Sequence, residues 1–228
     1  MDHTPAASDL HRARPAHACG TGVLVLAGSS GRLDAHRADL LARHGVDALA
    51  LRWFGGAGPQ HPRQVPIESF AAALDLLAPD NDRLAILGLS YGAEAALVTA
   101  SLDPRIVDVV ALAPTDVRWE GYRLDAAAPA VGKWTWQGAP LPFVPLQETT
   151  SAEAERSGFV ELYRASLRTA DPATVAAGRI PVERIEGRVL LVAGADDLVW
   201  PSADAARRIA ARRKTAGRAT GLVIDERA

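Results

Sequence analysis

From residue 22 onward, short apolar runs alternate with segments of helical period, and few folds satisfy such an alternation. Residues 23–26 and 84–87 are apolar throughout, as expected of strands that are buried on both faces of a sheet. Between 67 and 77, apolar residues recur at the spacing of one helix face. Strands that alternate with helices predict the α/β class, with a mostly parallel central sheet that carries helices on both faces.

The same pattern predicts a single domain over residues 21–228, because a chain of 228 residues, 48% of them hydrophobic, is long enough for one substantial core. Residues 1–20 are rich in Ala, His, Arg and Pro and are expected to form a flexible N-terminal segment. Between 114 and 185 the periodicity weakens, so an excursion over the sheet edge is expected there. The six predicted strands lie at 23–26, 46–51, 84–87, 106–112, 189–193 and 222–224.

Composition narrows the classes of binding partner and the cellular compartment that are expected for this chain. A formal net charge of -2 gives no field that attracts nucleic acid or an anionic membrane, so a small-molecule substrate is expected. The single cysteine, Cys19, excludes an internal disulfide, and no metal site or cofactor is predicted. The sequence has no secretory signal and no apolar stretch of membrane-spanning length, which together with the lone cysteine predicts a cytoplasmic protein. Nothing in the sequence indicates an oligomeric state.

The sequence Gly-Leu-Ser-Tyr-Gly at 88–92 lies between a predicted strand and a predicted helix. The serine of a Gly-x-Ser-x-Gly turn sits where a strand turns sharply into a helix, on a strained backbone that only small neighbours tolerate. This context indicates that Ser90 is the nucleophile of an α/β-hydrolase-type domain. The alternative is an ordinary glycine-rich connection that has no catalytic role.

Two backbone N–H groups are candidates for an oxyanion hole beside Ser90. The helix that begins at Tyr91 points its free N–H groups and the positive end of its dipole at the site, so the Tyr91 N–H can bind a developing negative charge. A second N–H is expected from the Gly/Ser loop after the first predicted strand. We assign it to Ser29, with Ser30 as the alternative.

The acidic partner of a serine nucleophile is expected after a strand downstream of Ser90, and Asp196 and Asp197 follow the predicted strand 189–193 directly. A carboxylate there would hold an imidazole in the required tautomer and stabilise its charged form. We favour Asp197, because two adjacent aspartates cannot face the same way and Asp197 is three residues past Gly194. The alternative is that both aspartates only cap the helix that begins near Ser202.

The histidine that should activate the serine is missing from its expected place. A serine hydroxyl needs a base within hydrogen-bond reach, and in this fold the base follows the last strand. All histidines of the chain precede Ser90. Substitution by His61, which lies in a loop after a predicted strand, is conceivable but contradicts the order of the triad. The histidines are His3, His11, His17, His36, His44 and His61.

Several stretches of the chain carry a family resemblance. Over residues 22–228 the sequence resembles the C-terminal catalytic domain of the acyl-CoA thioester hydrolases and bile-acid-CoA:amino acid N-acyltransferases, a branch close to dienelactone hydrolase. The Gly-Leu-Ser-Tyr-Gly-Ala-Glu sequence at 88–94 is one of the stretches that carry it. The others lie at 32–41, 48–55, 134–138, 140–145, 180–185, 194–197 and 200–202.

The resemblance implies an α/β-hydrolase that converts an acyl thioester to an acid and a thiol, through an acyl-enzyme on Ser90 with Asp197 as the orienting acid. Tyr91 stands where family members often carry lysine, a difference expected to alter substrate choice and not the role of the backbone N–H. In relatives a Gly-His pair and a final helix follow the last strand. This chain stops at 225–228, so the last loop and helix are expected to be absent.

Two other functions remain open. Without a base the chain would be a catalytically silent, truncated hydrolase fold that binds its ligand and retains only residual catalysis. Acyl transfer to an amine is the third possibility, because the resemblance includes enzymes that conjugate amino acids. Those relatives tend to use cysteine as the nucleophile, so serine favours water as the acceptor.

Aromatic residues accumulate in the excursion, where an acyl chain would need an apolar wall. Trp134, Trp136 and Phe143 are the candidates for a substrate pocket, and the alternative is that such large side chains pin the excursion to the core. The basic residues of the last predicted helix could attract the phosphates of CoA, but on an amphipathic helix they are interpreted as a solvated face. They are Arg207, Arg208, Arg212, Arg213 and Lys214.

Overall fold

The structure, a computed structural model, describes residues 3–125, 127–147 and 158–227. The central sheet of this part of the chain has seven strands in the order β1-β3-β2-β5-β6-β9-β10, and every pair is parallel except β1 with β3. The α/β class and the mostly parallel sheet are therefore confirmed. The strands are β1 (Leu10–Ala13), β2 (Thr21–Leu26), β3 (Asp47–Leu51), β5 (Arg83–Leu89), β6 (Ile106–Leu112), β9 (Arg188–Gly194) and β10 (Thr220–Asp225).

Helices cover the sheet on both faces because successive strand residues point to opposite sides. On one face of the sheet, the helix that begins at Glu68 packs with β2, the helix after β5 packs with β2, β5 and β6, and the helix after β9 packs with β9 and β10. On the opposite face α1 packs with β3. The helix after β5 is buried over most of its length, and its run of small residues permits close contact with the sheet. The helices are α1 (Ala35–Arg43), α2 (Glu68–Asp75), α3 (Tyr91–Leu102), α4 (Phe159–Thr169), α5 (Pro172–Gly178) and α6 (Ser202–Thr215).

The prediction of a flexible segment over residues 1–20 is wrong for residues 7–13. A 3-10 turn at Ala7–Asp9 leads into β1, which pairs antiparallel with β3. Polar contacts rather than apolar periodicity hold this strand, which explains why hydrophobic patterning missed it. Arg12 donates to the Asp47 carboxylate, to Asp80 and to the carbonyl of Leu76. Residues 1 and 2 lie outside the described residues.

The buried Asp47 carboxylate makes the attachment of β1 sensitive to pH. Burial alone would raise the pKa of Asp47, but hydrogen bonds from Arg12 and Asn81 outweigh that effect and hold the pKa below its usual value. A carboxylate with a lowered pKa in the folded state stabilises the fold above the pKa of the unfolded chain, and this contribution is lost as the pH falls through the folded pKa.

We therefore expect Asp47→Asn to be less stable than the wild type at pH 7, with a difference that shrinks as the pH falls below about 4. Urea unfolding at pH 7, 5 and 3 measures the difference. Asp82→Asn is the matched control, because it makes the same chemical change at an exposed position. A difference between Asp47→Asn and the wild type that is constant with pH would contradict this account.

The stretch between 114 and 185 crosses the sheet edge with little regular structure. Its short strands β7 (Trp134–Trp136) and β8 (Ala139–Pro140) join β4 (Val65–Pro66) in a second sheet. A cluster that includes Val117, Trp119 and Tyr163 packs part of this stretch against Trp200. Residue 126 and residues 148–157 of the predicted excursion lie outside the described residues.

No helix within residues 3–125, 127–147 and 158–227 has both the length and the apolar character needed to cross a bilayer.

Candidate active site

Ser90 lies between the end of β5 and the start of α3 in a strained backbone conformation. Its φ of 54° and ψ of -116° are unusual for a residue other than glycine, and the surrounding hydrogen bonds hold it there. The Ser90 N–H donates to the carbonyl of Leu112 on β6, and the Ser90 carbonyl accepts from the N–H groups of Ala93 and Glu94. The Ser90 hydroxyl is half-buried and has no hydrogen-bond partner among the described residues.

Glycine flanks the turn because no side chain fits there. A Cβ on Gly88 would lie 2.0 Å from the carbonyl oxygen of Gly92, and a Cβ on Gly92 would lie 2.4 Å from that of Leu26. Both clashes are with backbone, which cannot move away as a flexible side chain can. The two glycines of the motif thus allow α3 to pass directly over the end of β2.

The loop after β2 lies beside the nucleophile turn. A Cβ on Gly28 would come within 3.3 Å of the Ser90 Cβ, which places this loop in direct contact with the serine. In the described part of the chain, neither the Tyr91 N–H nor the Ser29 N–H has a hydrogen-bond acceptor. Ser29 and Ser30 are both exposed, the Ser30 N–H also has no acceptor among the described residues, and the Ser30 hydroxyl accepts from Arg32. Either N–H of this loop therefore stays a candidate for the second oxyanion donor. Two unbonded N–H groups near one hydroxyl can bind a developing oxyanion.

Asp197 follows β9, at the same edge of the parallel sheet as the end of β5. One carboxylate oxygen accepts from the N–H groups of Val199 and Trp200, and the other accepts from the Ser202 hydroxyl at 2.6 Å. These contacts hold the loop that precedes α6 but do not cap the helix, because Val199 and Trp200 lie before it and Ser202 donates through its side chain. The N-cap position is Pro201 and no side chain of the described residues caps α6, so the capping alternative is wrong. A carboxylate has about four acceptor positions, so the same side chain can also accept from an imidazole. Asp196 is exposed.

Within the described residues, no histidine forms a hydrogen bond with Ser90 or Asp197. His11 pairs with Asp39 at 2.7 Å, and the exposed His61 stacks on Tyr122 with 4.3 Å between the ring centres. The structure therefore gives no support to His61 as a substitute base.

The three candidate pocket residues separate into one core residue and two that are half-buried. Trp134 is 1% exposed and packs against the rings of Trp53 and Phe70, so the prediction that it lines a substrate pocket is wrong. Its indole instead attaches the excursion to the core, which is the alternative role considered for these large side chains. Trp136 and Phe143 keep part of their surface accessible.

A buried ion pair lies next to the Ser90 turn, and no pattern in the sequence predicted it. Glu94 is completely buried and binds Lys133, which is 1% exposed, with 2.6 Å between Oε2 and Nζ. Lys133 Nζ also lies 3.9 Å from the centre of the Tyr91 ring. The Tyr91 hydroxyl is 3.2 Å from that of Tyr163, whose pKa is raised by burial and by the nearby Tyr91 and Glu94. The only sequence signal was the presence of Glu94 in the 88–94 motif.

Residues 65–225 match the family described as "BAAT / Acyl-CoA thioester hydrolase C terminal". The chain is 26% identical to acyl-coenzyme A amino acid N-acyltransferase 1 of Mus musculus over 89% of its own length and 46% of that protein. It is 28% identical to acyl-coenzyme A thioesterase 6 of Mus musculus over 84% of its length and 43% of that protein. The chain thus spans less than half the length of these relatives.

Solved structures share the fold at low sequence identity. A candidate dienelactone hydrolase from Klebsiella pneumoniae superposes with a TM-score of 0.56 and 18% identity, over 96% of this chain and 80% of that one. An acylaminoacyl peptidase from Pyrococcus horikoshii gives a TM-score of 0.63 and 10% identity, over 96% of this chain and 34% of the peptidase. These similarities establish the α/β-hydrolase fold.

Proposed function

Because the chain belongs to the BAAT/acyl-CoA thioester hydrolase C-terminal family, we propose that it is a serine hydrolase that acts on acyl thioesters through an acyl-enzyme on Ser90. The observation that carries the proposal is the Ser90 turn, in which a serine at positive φ precedes the unbonded N–H of Tyr91 and lies against the loop that carries the unbonded N–H of Ser29. The proposed substrate is a small-molecule acyl thioester or ester.

In the proposed reaction, Ser90 Oγ attacks the thioester carbonyl carbon, and its proton passes to a base. The carbonyl oxygen gains negative charge, which the Tyr91 and Ser29 N–H groups stabilise by hydrogen bonding. The carbon–sulfur bond then breaks, and the departing thiolate takes up the proton from the base. Water then attacks the carbonyl carbon of the resulting ester and gives a proton to the base. The bond between that carbon and Ser90 Oγ breaks, Oγ takes the proton back, and the acid is released.

The reaction is conditional on a base, since no histidine of the described residues is bonded to Ser90. Free imidazole provides a direct test, because a small base that enters the site can take the place of the missing side chain. We expect turnover of an acyl-CoA to rise with imidazole concentration in the wild type and not in Ser90→Ala. If a saturating amount of imidazole leaves both proteins without turnover, the catalytically silent, ligand-binding alternative is favoured instead.

Asp197 is proposed to orient that base. We expect Asp197→Asn to lower kcat/KM by about a hundredfold or more, because the amide presents the wrong hydrogen-bonding group to an imidazole. The free energy of unfolding should fall by about 1 kcal/mol, because the hydrogen bonds that hold the loop before α6 are weakened. Steady-state kinetics in the presence of imidazole and urea unfolding measure the two effects.

Ser202→Ala is the matched control for Asp197→Asn. It removes the hydroxyl that donates to the Asp197 carboxylate and leaves the carboxylate itself in place. If Asp197 only holds the loop before α6, the two variants should lose similar stability and neither should lose much activity. That result would contradict the proposed role of Asp197.

Acyl transfer to an amine is the second candidate, because the matched relatives include acyl-coenzyme A amino acid N-acyltransferases. Product analysis with an acyl-CoA and either glycine or taurine separates the two reactions. Free acid as the only acyl product supports hydrolysis. An amide product in excess of free acid would replace hydrolysis by acyl transfer.

A further inference from the structure

The ion pair of Glu94 and Lys133 is the most deeply buried pair of opposite charges described in this chain. Glu94 is 0% exposed and Lys133 is 1% exposed. Taking both charges out of water has a large cost, and a pair of apolar residues of similar size is often as stabilising. Fold stability alone therefore explains poorly why a charged pair occupies this position.

The Glu94 carboxylate connects the nucleophile helix with two parts of the 114–145 stretch. Its Oε1 accepts from the Trp119 N–H at 3.0 Å and from the Trp134 indole N–H at 2.8 Å, while Oε2 accepts from Lys133. The backbone N–H of the same residue donates to the Ser90 carbonyl at 3.1 Å. Four contacts thus fix Glu94 one helical turn beyond the serine.

The Lys133 ammonium uses its other side to contact Tyr91. Its Nζ lies 3.9 Å from the ring centre, a distance at which a desolvated cation is attracted to the face of an aromatic ring. Trp200, which follows the Asp197 loop, packs against the same ring with 5.8 Å between the ring centres. The Tyr91 ring is thereby held between the buried ion pair and the loop that carries the proposed acid.

We propose that Glu94 and Lys133 are positioning residues, which hold the Tyr91 ring and thereby fix the backbone of the Ser90–Tyr91 turn. The Tyr91 N–H is one of the two proposed oxyanion donors, so its direction depends on the backbone that the ring anchors. The catalytic consequence rests on the proposed function, whereas the structural consequence does not. The ammonium acts through Tyr91 and does not contact the substrate.

The test compares Glu94→Gln, Lys133→Met and the double variant E94Q/K133M with the wild type. Three quantities are measured: the urea midpoint, the exchange rate of the Ser90 amide followed by NMR, and kcat on an acyl-CoA. Each single variant leaves one buried charge unpaired and should lower the urea midpoint. The double variant removes both charges, so its urea midpoint should return most of the way to the wild-type value.

The double variant should nevertheless exchange its Ser90 amide about tenfold faster and lose about tenfold in kcat, with KM little changed. Thr99→Val is the matched control, because Thr99 is buried on the same helix and its hydroxyl donates to the Ala95 carbonyl, away from the Tyr91 ring. This control should leave Ser90 exchange unchanged. If E94Q/K133M regained the wild-type rate of Ser90 amide exchange and the wild-type kcat along with the urea midpoint, the proposal would be overturned. The pair would then have a purely structural role.

Tyr91→Leu provides an independent variant if E94Q/K133M does not fold. It removes the ring and leaves the ion pair intact, so we expect the same tenfold acceleration of Ser90 exchange, and unchanged exchange would overturn the proposal. Wild-type protein that lacks turnover even with imidazole would contradict the proposed function alone. The exchange rates would still decide whether the pair positions the turn.

Discussion

Replacement of Ser90 by alanine should abolish imidazole-dependent turnover of acyl-CoA, with a loss of at least about a thousandfold. The reason is that the hydroxyl supplies the atom to which the acyl group becomes bonded, and the N–H groups of Tyr91 and Ser29 can support only residual attack by water. Because the Ser90 hydroxyl has no hydrogen-bond partner among the described residues, its removal should cost little stability. Release of free thiol, followed with a thiol reagent, measures the turnover.

Ser101→Ala is the matched control for Ser90→Ala. Ser101 lies near the end of the same helix, and its hydroxyl donates to the Val98 carbonyl, away from the nucleophile turn. This variant should retain wild-type turnover. Equal turnover by Ser90→Ala and the wild type would remove the serine from the mechanism.

Gly92→Ala should have the largest effect on folding, with a loss of about 3 kcal/mol or more in the free energy of unfolding. The added Cβ would lie 2.4 Å from the carbonyl oxygen of Leu26 and 2.6 Å from that of Ala27. Relief of both contacts requires α3 to move away from the end of β2. Such a movement would also displace Ser90, so any folded fraction should have lost its activity.

Gly58→Ala tests whether the loss of stability comes from the position of Gly92 and not from any glycine-to-alanine substitution. A Cβ on Gly58 would meet no atom within 4 Å, so its substitution should change the free energy of unfolding by less than about 0.5 kcal/mol. Urea unfolding of both variants measures the contrast. Stability of Gly92→Ala within about 0.5 kcal/mol of the wild type would contradict the packing described for the turn.

Six of the seven strands of the sheet could be predicted from the sequence because each contains an apolar run, and β2, β3 and β5 are buried over almost their whole length. Strand β6 has the predicted bounds of 106–112, and β9 and β10 extend the predicted 189–193 and 222–224 by one or two residues at each end. Strand β1 was missed because all four of its residues are half-buried and its attachment depends on Arg12 and Asp47. Edge strands held by polar contacts give no apolar pattern.

Buried charges were the main feature of the site that sequence patterns could not reveal. Charged residues are ordinarily interpreted as solvated, and Glu94 and Lys133 are 39 residues apart, so no local spacing joins them. Arg213 is a second example, because it was interpreted as part of a solvated face. Its side chain is fully buried and donates to backbone carbonyls, including those of Val182 and Gly187. Only the folded chain brings such partners together.

The Ser90 turn itself could be predicted because its chemistry depends on local sequence. The backbone of this turn requires glycine at 88 and 92, and apolar patterning predicts the strand before it and the helix after it. The role of Asp197 could be narrowed only to two alternatives, because a helix cap and an orienting acid use the same side chain in the same loop. Within the part of the chain that the structure describes, no side chain caps α6, and Asp197 instead holds the loop before that helix through acceptor positions that leave others free.

Acid-quenched mixtures of the protein with an acyl-CoA and imidazole test the central claim most directly. Mass spectrometry of the digested protein should find one acyl group, in place of one hydrogen, on the peptide that contains Ser90, and none in Ser90→Ala. The exposed thiol of Cys19 can exchange acyl groups with a thioester, so the experiment uses Cys19→Ser as the background for both proteins. Turnover without acyl transfer to Ser90 at any quench time, or an acyl group carried by another residue, would contradict the account.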